Sequence, residues 1–142
     1  MPMFPIQTSE VQQMKQIAKE YFRAFSQKNT KKLSELYSDD ISLVDWVSSA
    51  TGKENVLNMN NELFGSFDDI RIDVNEMYKD ENVVACEIDI FLDKQNKRTC
   101  LKVVDVLEFD AGLIVSIRAY LGGEEEKKLP PTGNAGPYDY DA

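Results

Sequence analysis

Residues 83–121 read VVACEIDIFLDKQNKRTCLKVVDVLEFDAGLIVSIRAYL, and the architecture of the chain can be worked out from them. They contain three long segments rich in β-branched residues, separated by short polar runs that are typical of turns. The pattern predicts three consecutive antiparallel strands, at 83–92, 98–109 and 113–121, joined by hairpin turns at 93–96 and 110–112.

The sequence before these three strands contains the patterns of helices as well as of strands. Apolar residues recur at steps of three and four, which predicts amphipathic helices. Three helices are predicted, at 9–27, from Asn29 or Thr30 to about Tyr37, and at 53–64. Two further strands are predicted, at 41–47 and 70–78. Helices followed by a curved antiparallel sheet define an α+β fold class.

The composition limits the class of protein. The chain has 142 residues, of which 42% are apolar, and this favours one soluble domain at 1–122, followed by an acidic polar tail at 123–142. Sixteen Lys and Arg against 25 Asp and Glu give a net charge of −9, which disfavours nucleic acid as a partner. The chain has no histidine, which excludes Ser-His-Asp and Cys-His catalysis and every histidine-based metal site.

The sequence lacks the features of a secreted protein, of a membrane protein, of a redox-active cysteine pair and of a metal site. It has no recognisable signal peptide and no long apolar segment, so we expect a cytoplasmic protein that does not bind membranes. Cys86 and Cys100 form no C-x-x-C pair and fall on opposite strand faces, so we expect two reduced thiols. The acidic run at 124–126 has no fixed ligand geometry, and we expect no metal site.

Two carboxylates interrupt apolar strand faces. Alternate residues of a strand point to the same side, so Asp45 shares a face with Ile41 and Leu43. By the same rule Asp105 shares a face with Leu101 and with the apolar residues that flank it. Each of these two strands therefore places one acid in the middle of its most apolar side.

The hairpin between the strands at 83–92 and 98–109 sets the neighbours of Asp105. A four-residue loop at 93–96 predicts that Ile88 lies opposite Leu101 and that Cys86 lies opposite Val103. The apolar side chains of the first strand would then share a face with Asp105.

Carboxyls in such positions have a chemical use. Burial raises the pKa of a carboxyl and favours the neutral acid, so two acids in one apolar cavity could act as a base and as a hydrogen-bond donor. Alternatively, each acid is hydrogen-bonded by backbone or by an arginine, or a strand face is misassigned. Tyr21, on the apolar face of the first helix one turn before Phe25, could supply a further hydroxyl.

The chain resembles the NTF2-like (SnoaL-like) superfamily, and within it ketosteroid isomerases, over about residues 9–122. The segments that carry the resemblance are YSDDISLVD (37–45), VVDVLEF (103–109) and GLIVSIRAYLG (112–122). The resemblance implies three helices that close the mouth of a cone-like, curved antiparallel or mixed sheet. It also implies that Asp45 is the general base and that Tyr21 and a protonated Asp105 donate hydrogen bonds to an enolate oxygen.

The resemblance further suggests a substrate pocket, and the chain departs from the isomerases near it. The side chains expected to bind substrate are Phe25, Tyr37, Asn60, Val103 and Leu107. Trp46 follows Asp45 where the isomerases usually have proline. Asn60 stands where a family tyrosine supports the catalytic tyrosine, and Tyr37 matches another family tyrosine.

The sequence thus predicts an isomerase that moves a proton next to a carbonyl in a small hydrophobic substrate, without a cofactor. One alternative is a non-enzymatic ligand-binding or dimerisation module. Another is a related cyclase or hydrolase with an Asp-Arg-Asp arrangement that uses Arg118 or Arg71. A homodimer is expected through the outer sheet face, which includes Val104, Val106, Ile114 and Tyr120, unless the C-terminal tail covers that face.

Overall fold

The computed structural model describes residues 5–129, with side chains from residue 12 onwards. It confirms the α+β fold class. The helices are α1 (Pro5–Ser26), α2 (Thr30–Leu36) and α3 (Lys53–Ser66). The strands are β1 (Tyr37–Val44), β2 (Ser49–Thr51), β3 (Asp69–Asp80), β4 (Val83–Lys94), β5 (Lys97–Asp110) and β6 (Leu113–Lys128).

The six strands form one curved, mixed sheet in the order β2-β1-β6-β5-β4-β3. β1 runs parallel to β6, and every other neighbouring pair is antiparallel. The helices cover the concave face, where α1 packs on β3 and α3 packs on β1. Their apolar stripes bury Ala18, Phe22, Leu33 and Val56 in the core between helices and sheet. In the described part of the chain, no helix has the length and apolar character needed to cross a membrane.

Several element boundaries differ from the prediction. The second helix begins after the N-cap Asn29, whose side chain accepts a hydrogen bond from the Lys32 backbone N–H at 3.0 Å, and it ends at Leu36. Tyr37 already begins β1, so the polar residues 38–40 belong to a strand and do not merely end the helix. β1 stops at Val44, and the short strand β2 was not predicted.

The last strand is longer than predicted. β6 continues from the expected end at residue 121 to Lys128, and its acidic run at 124–126 pairs with β5. The first part of the predicted polar tail is therefore a strand of the sheet. Ile114, predicted on the outer sheet face, is fully buried in the core, because the β5–β6 pairing shifts beside it. Residues 130–142 lie outside the described part of the chain, and so does the expectation that the tail covers the outer face.

The β4–β5 hairpin corrects the predicted register. The two strands are joined by a two-residue turn, in which Gln95 has φ of 56°, and Cys86 pairs directly with Asp105 rather than with Val103. Ile88 is opposite Val103. The pairing of β4 with β5 is displaced by two residues from the predicted pairing. Because side chains alternate with period two, every residue of these two strands keeps its predicted face. Both cysteines are free thiols, with Cys86 buried.

Candidate active site

A cavity of about 350 Å³ opens between the helices and the concave face of the sheet. Its walls come from α1, from the end of β1 and the turn after it, from α3, and from the inner faces of β4, β5 and β6. The lining is mostly apolar, with the aromatic rings of Tyr21, Phe25, Trp46 and Phe67 among the contributors. Asp45 and Asp105 line the same cavity.

Asp105 lies in the middle of β5 at the floor of the cavity. Its cross-strand neighbours are Cys86 on β4 and Ala119 on β6, and only 6% of its surface is exposed. No described residue donates a hydrogen bond to its carboxyl. Burial, and next to it the charge of Asp45, raises the pKa of Asp105 from 3.8 to about 7. The carboxyl is therefore predominantly neutral in slightly acidic solution, where it is a hydrogen-bond donor.

Asp45 has a different environment at the end of β1. Its Oδ1 accepts hydrogen bonds from the backbone N–H groups of Val47 and Ser48, both at 2.8 Å, and its own N–H donates to the Ser48 carbonyl at 2.9 Å. This is a side-chain-capped turn of the kind that aspartate forms readily. Backbone donors stabilise the ionised form of a carboxylate. Oδ2 accepts no hydrogen bond from a described residue and remains available as a proton acceptor.

Three buried polar side chains adjoin the two acids. Tyr21, Tyr37 and Asn60 are 3%, 0% and 3% exposed. The rings of Tyr21 and Tyr37 have centroids 6.2 Å apart. The Tyr37 hydroxyl donates to Asn60 Oδ1 at 2.6 Å.

The ionisation of both tyrosines reflects this setting. Burial raises the pKa of Tyr21 well above 10, with further contributions from Tyr37 and Asp105. Burial and then the Asp105 charge raise the pKa of Tyr37. Both hydroxyls therefore keep their protons at neutral pH and can act as donors.

The predicted substrate-binding residues divide into two groups. Phe25 and Asn60 line the cavity together with Tyr21 and the two acids. Tyr37, Val103 and Leu107 do not line it and pack within the core. Val103 and Leu107 share the face of Asp105, as predicted, but other side chains cover them.

Several lining residues were not predicted as site residues. α3 contributes Met59, Glu62 and Leu63, and β6 contributes Ile117 and Ala119. The apolar period of the third helix already contained Met59 and Leu63, so that pattern could have identified them. Trp46, next to Asp45, is 41% exposed and lines the cavity.

The charges around the cavity are all acidic. Among the described lining residues the ionisable carboxyls are Asp45, Glu62 and Asp105, and none of these residues is Lys or Arg. Arg71 pairs with Asp73 at 3.0 Å and Arg118 pairs with Glu108, and neither arginine lines the cavity. The Asp-Arg-Asp arrangement predicted as an alternative is therefore not assembled here. No group of potential metal ligands is present among the described residues.

Comparisons with solved structures agree on the fold. An NTF2-like protein of unknown function from Cytophaga hutchinsonii superposes with a TM-score of 0.66 at 15% identity, covering 77% of this chain and 89% of that one. An LEH-like epoxide hydrolase from Mycobacterium tuberculosis superposes with a TM-score of 0.72 at 17% identity, covering 78% and 84%. A protein from Kribbella flavida, provisionally assigned as a ketosteroid isomerase, gives 0.66 at 20% identity, covering 87% and 85%.

At these identities the likeness concerns the fold alone. No curated protein sequence matches the chain. Residues 18–117, which extend from α1 into β6 and include every acid of the cavity, match the SnoaL-like domain. The helices, the curved mixed sheet and this match lead to one conclusion: the chain belongs to the SnoaL-like domain family, within the NTF2-like fold.

Proposed function

We propose that the protein is a ketosteroid-isomerase-like enzyme that moves a proton next to a carbonyl in a small hydrophobic substrate, without a cofactor. The observation that carries the proposal is the contrast between two carboxyls of one apolar cavity. Asp45 is held by two backbone N–H groups, whereas Asp105 is buried, has no hydrogen-bond partner among the described residues and has a pKa raised to about 7. A carboxylate held by backbone donors is suited to the role of a base, and a buried carboxyl that keeps its proton is suited to the role of an acid.

The proposed reaction is an allylic proton shift. The carboxylate of Asp45 removes a proton from the carbon between the carbonyl and the double bond of a β,γ-unsaturated ketone. The C–H electron pair moves into the conjugated system and leaves negative charge on the carbonyl oxygen. The protonated Asp45 then returns the proton to the γ-carbon, which yields the α,β-unsaturated ketone and restores the carboxylate.

The enolate oxygen needs hydrogen-bond donors because no cation lines the cavity among the described residues. Neutral Asp105 can supply one donor, and the hydroxyl of Tyr21 can supply a second. Donors already placed in a water-poor site stabilise developing charge without reorganisation, and the loss of one typically reduces kcat by about 10²–10³-fold. Positioned general-base catalysis contributes about 10²–10⁴-fold.

A ligand-binding module without catalysis is the second candidate. It is favoured by the lining of the cavity, which is mostly apolar and could hold a small hydrophobic ligand without any reaction. A related cyclase or hydrolase is a further prediction that would need another source of positive charge than Arg71 or Arg118. The all-acidic charge of the cavity disfavours phosphate- or carboxylate-bearing ligands in every case.

The test is the isomerisation of a panel of β,γ-unsaturated ketones, followed by the absorbance of the conjugated product. Asp45→Asn is expected to lose most of the activity, by about 10²-fold or more. Asp105→Asn is expected to keep substantial activity because the amide still donates, whereas Asp105→Ala loses about 10²-fold. Asp110→Asn, at the exposed end of β5, is the control.

Two results would contradict the proposal. Equal losses in Asp45→Asn and Asp105→Asn would mean that the assigned roles are wrong. If no ketone is isomerised while planar phenols bind in the cavity, the ligand-binding candidate is the better description.

A further inference from the structure

The outer part of the cavity combines two carboxylates with two aromatic rings. Of the lining residues, Trp46 and Glu62 are exposed, and Asp45 and Phe67 are half-buried. The turn after β1 places Asp45 and Trp46 there, and the end of α3 supplies Glu62 and, just beyond the helix, Phe67. We call these four residues the cavity mouth. The floor, by contrast, is formed around the buried Asp105.

The carboxyls of the cavity lack the cationic partners that other partly buried acids of this protein have. Asp93 pairs with Arg98 at 2.8 Å, and Asp89 pairs with Lys102 at 3.1 Å. In the part of the chain that the structure describes, no carboxyl that lines the cavity forms an ion pair with Lys or Arg. Acidic side chains in a cleft with apolar walls focus the field and attract positive ligands. A cationic partner is therefore expected to come from the ligand.

The floor and the mouth suit different ends of a ligand. Asp105 is 6% exposed, and no described residue forms a hydrogen bond with its carboxyl. A polar side chain so deeply buried normally has a hydrogen-bond partner, so we expect the ligand to provide one. Because Asp105 is predominantly neutral in slightly acidic solution, an uncharged polar atom such as a carbonyl oxygen suits the floor. The carboxylates of Asp45 and Glu62 suit a positive group at the mouth.

The rings at the mouth favour an organic cation over a metal ion. Trp46 is 41% exposed and the neighbouring Val47 is 79% exposed, so a ligand at the mouth meets apolar surface beside negative charge. An alkylated ammonium is attracted to the face of an aromatic ring, and most strongly to that of tryptophan. A metal ion needs several oxygen ligands around one point, and no such group exists among the described residues.

We propose that the cavity mouth binds an organic cation, and that the substrate of the enzyme is a hydrophobic ketone with a protonated or quaternary amine at the end remote from the carbonyl. The ketone part of this inference rests on the proposed function. The cation part rests on the carboxylates and rings of the mouth, and it holds for a ligand-binding protein as well. The cavity of about 350 Å³ is at the lower end of the range of small-molecule sites, so one compact ligand can occupy both the floor and the mouth.

The first experiment compares two ligands of the same shape. Benzyltrimethylammonium carries a positive charge, and neopentylbenzene has carbon in place of the nitrogen and is neutral. Trp46 is the only tryptophan of the chain, so a change in tryptophan fluorescence reports binding at the mouth itself. We expect the cation to bind about tenfold more tightly than its neutral isostere. The preference should decrease as salt is added, because part of it comes from exposed charges.

Variants locate the source of the preference, with binding measured by calorimetry. Glu62→Gln removes one carboxylate of the mouth, and Trp46→Leu replaces the ring by an aliphatic side chain. Each should reduce the affinity for benzyltrimethylammonium by about threefold and leave that for neopentylbenzene within about twofold. Glu54 is exposed on the same helix and does not line the cavity. Glu54→Gln is therefore the matched control, and it should bind both ligands as the wild-type protein does.

Two results would overturn the cation site. One is equal binding of the two ligands by the wild-type protein. The other is a preference for the cation that survives unchanged in Glu62→Gln or in Trp46→Leu, since the cavity mouth would then not be its source.

A pair of ketones separates this inference from the proposed function. One β,γ-unsaturated ketone carries a trimethylammonium group remote from the carbonyl, and the other carries a tert-butyl group there. We expect kcat/KM to be about tenfold higher for the ammonium ketone, and Glu62→Gln to reduce that advantage about threefold. If neither ketone is isomerised, the proposed function fails, and the binding of the two isosteric ligands still decides on the cation site. If both are isomerised with equal kcat/KM, the assignment of an amine-bearing substrate is wrong.

Discussion

Asp105→Asn is expected to stabilise the folded protein at alkaline pH, and the advantage should shrink as the pH falls. The reason is that burial in the cavity raises the pKa of Asp105 from 3.8 to about 7. The folded state therefore binds this proton more tightly than the unfolded state does. The contribution of Asp105 to the free energy of unfolding is largest below the pKa of the unfolded state. It is lost as the pH rises through about 7.

The size of the effect follows from the difference between the pKa of Asp105 in the folded protein and in the unfolded protein. At about 1.4 kcal/mol per pKa unit, the full loss in the wild-type protein is at most about 4 kcal/mol. About 2 kcal/mol of it should develop between roughly pH 5.5 and pH 8.5. Asparagine has the shape of the neutral acid and no charge, so it avoids this loss at every pH.

The assay is urea unfolding of the full chain, followed by circular dichroism at several pH values in this interval. Asp110→Asn, at the exposed end of the same strand, is the matched control against which the Asp105→Asn difference is compared at each pH. Because Asp45 is a like charge beside Asp105, its removal in Asp45→Asn should lower the pKa of Asp105 and reduce the loss. A constant gap between Asp105→Asn and wild type across the interval would contradict the proposed linkage.

Three further predictions address the site and the assembly. Tyr21→Phe combined with Asp105→Ala should reduce kcat by less than the product of the two single losses, because both residues act on one enolate oxygen. Losses that multiply in isomerisation assays would argue against a shared oxygen. Cys86, which is buried and whose pKa burial raises to about 12, should react with a thiol reagent far more slowly than Cys100 in the native protein, and both should titrate as free thiols in denaturant. Sedimentation should show a homodimer at micromolar concentration that Val106→Asp, on the outer sheet face, converts to a monomer; a wild-type monomer would count against that assembly.

The inward position of Asp105 could be predicted because it depends only on the alternation of side chains along a strand. The turn at 93–96 was predicted with four residues and has two, so the strand pairing is displaced by an even number. An even displacement changes which residue is opposite Asp105 but not which side of the sheet it faces. The two-residue turn could not be predicted because it places Gln95 at φ of 56°, a conformation that its residue type does not favour.

The exact lining of the cavity could not be predicted, because it depends on how the strands bend. The β5–β6 pairing shifts between Lys102 and Val103 and again between Glu108 and Phe109. Such irregularities bend a strand and increase its local twist. On the apolar face of β5, Asp105 lines the cavity, whereas Val103 and Leu107 pack within the core. The extra residue of each shift lies on β6: Gly122 at the first, where a glycine marks it in the sequence, and Val115 at the second, where nothing in the sequence does.

The turn that holds Asp45 limits which products the proposed enzyme can form. The backbone N–H groups of Val47 and Ser48 both donate to Oδ1 of Asp45, so this oxygen is held in place. Only Oδ2 is then available to carry the proton. A proton on Oδ2 can be delivered only to carbon atoms close to that oxygen, on the same side of a planar substrate. Removal and return should therefore be suprafacial, and a deuterium label at the donor carbon should appear at the acceptor carbon on the same face.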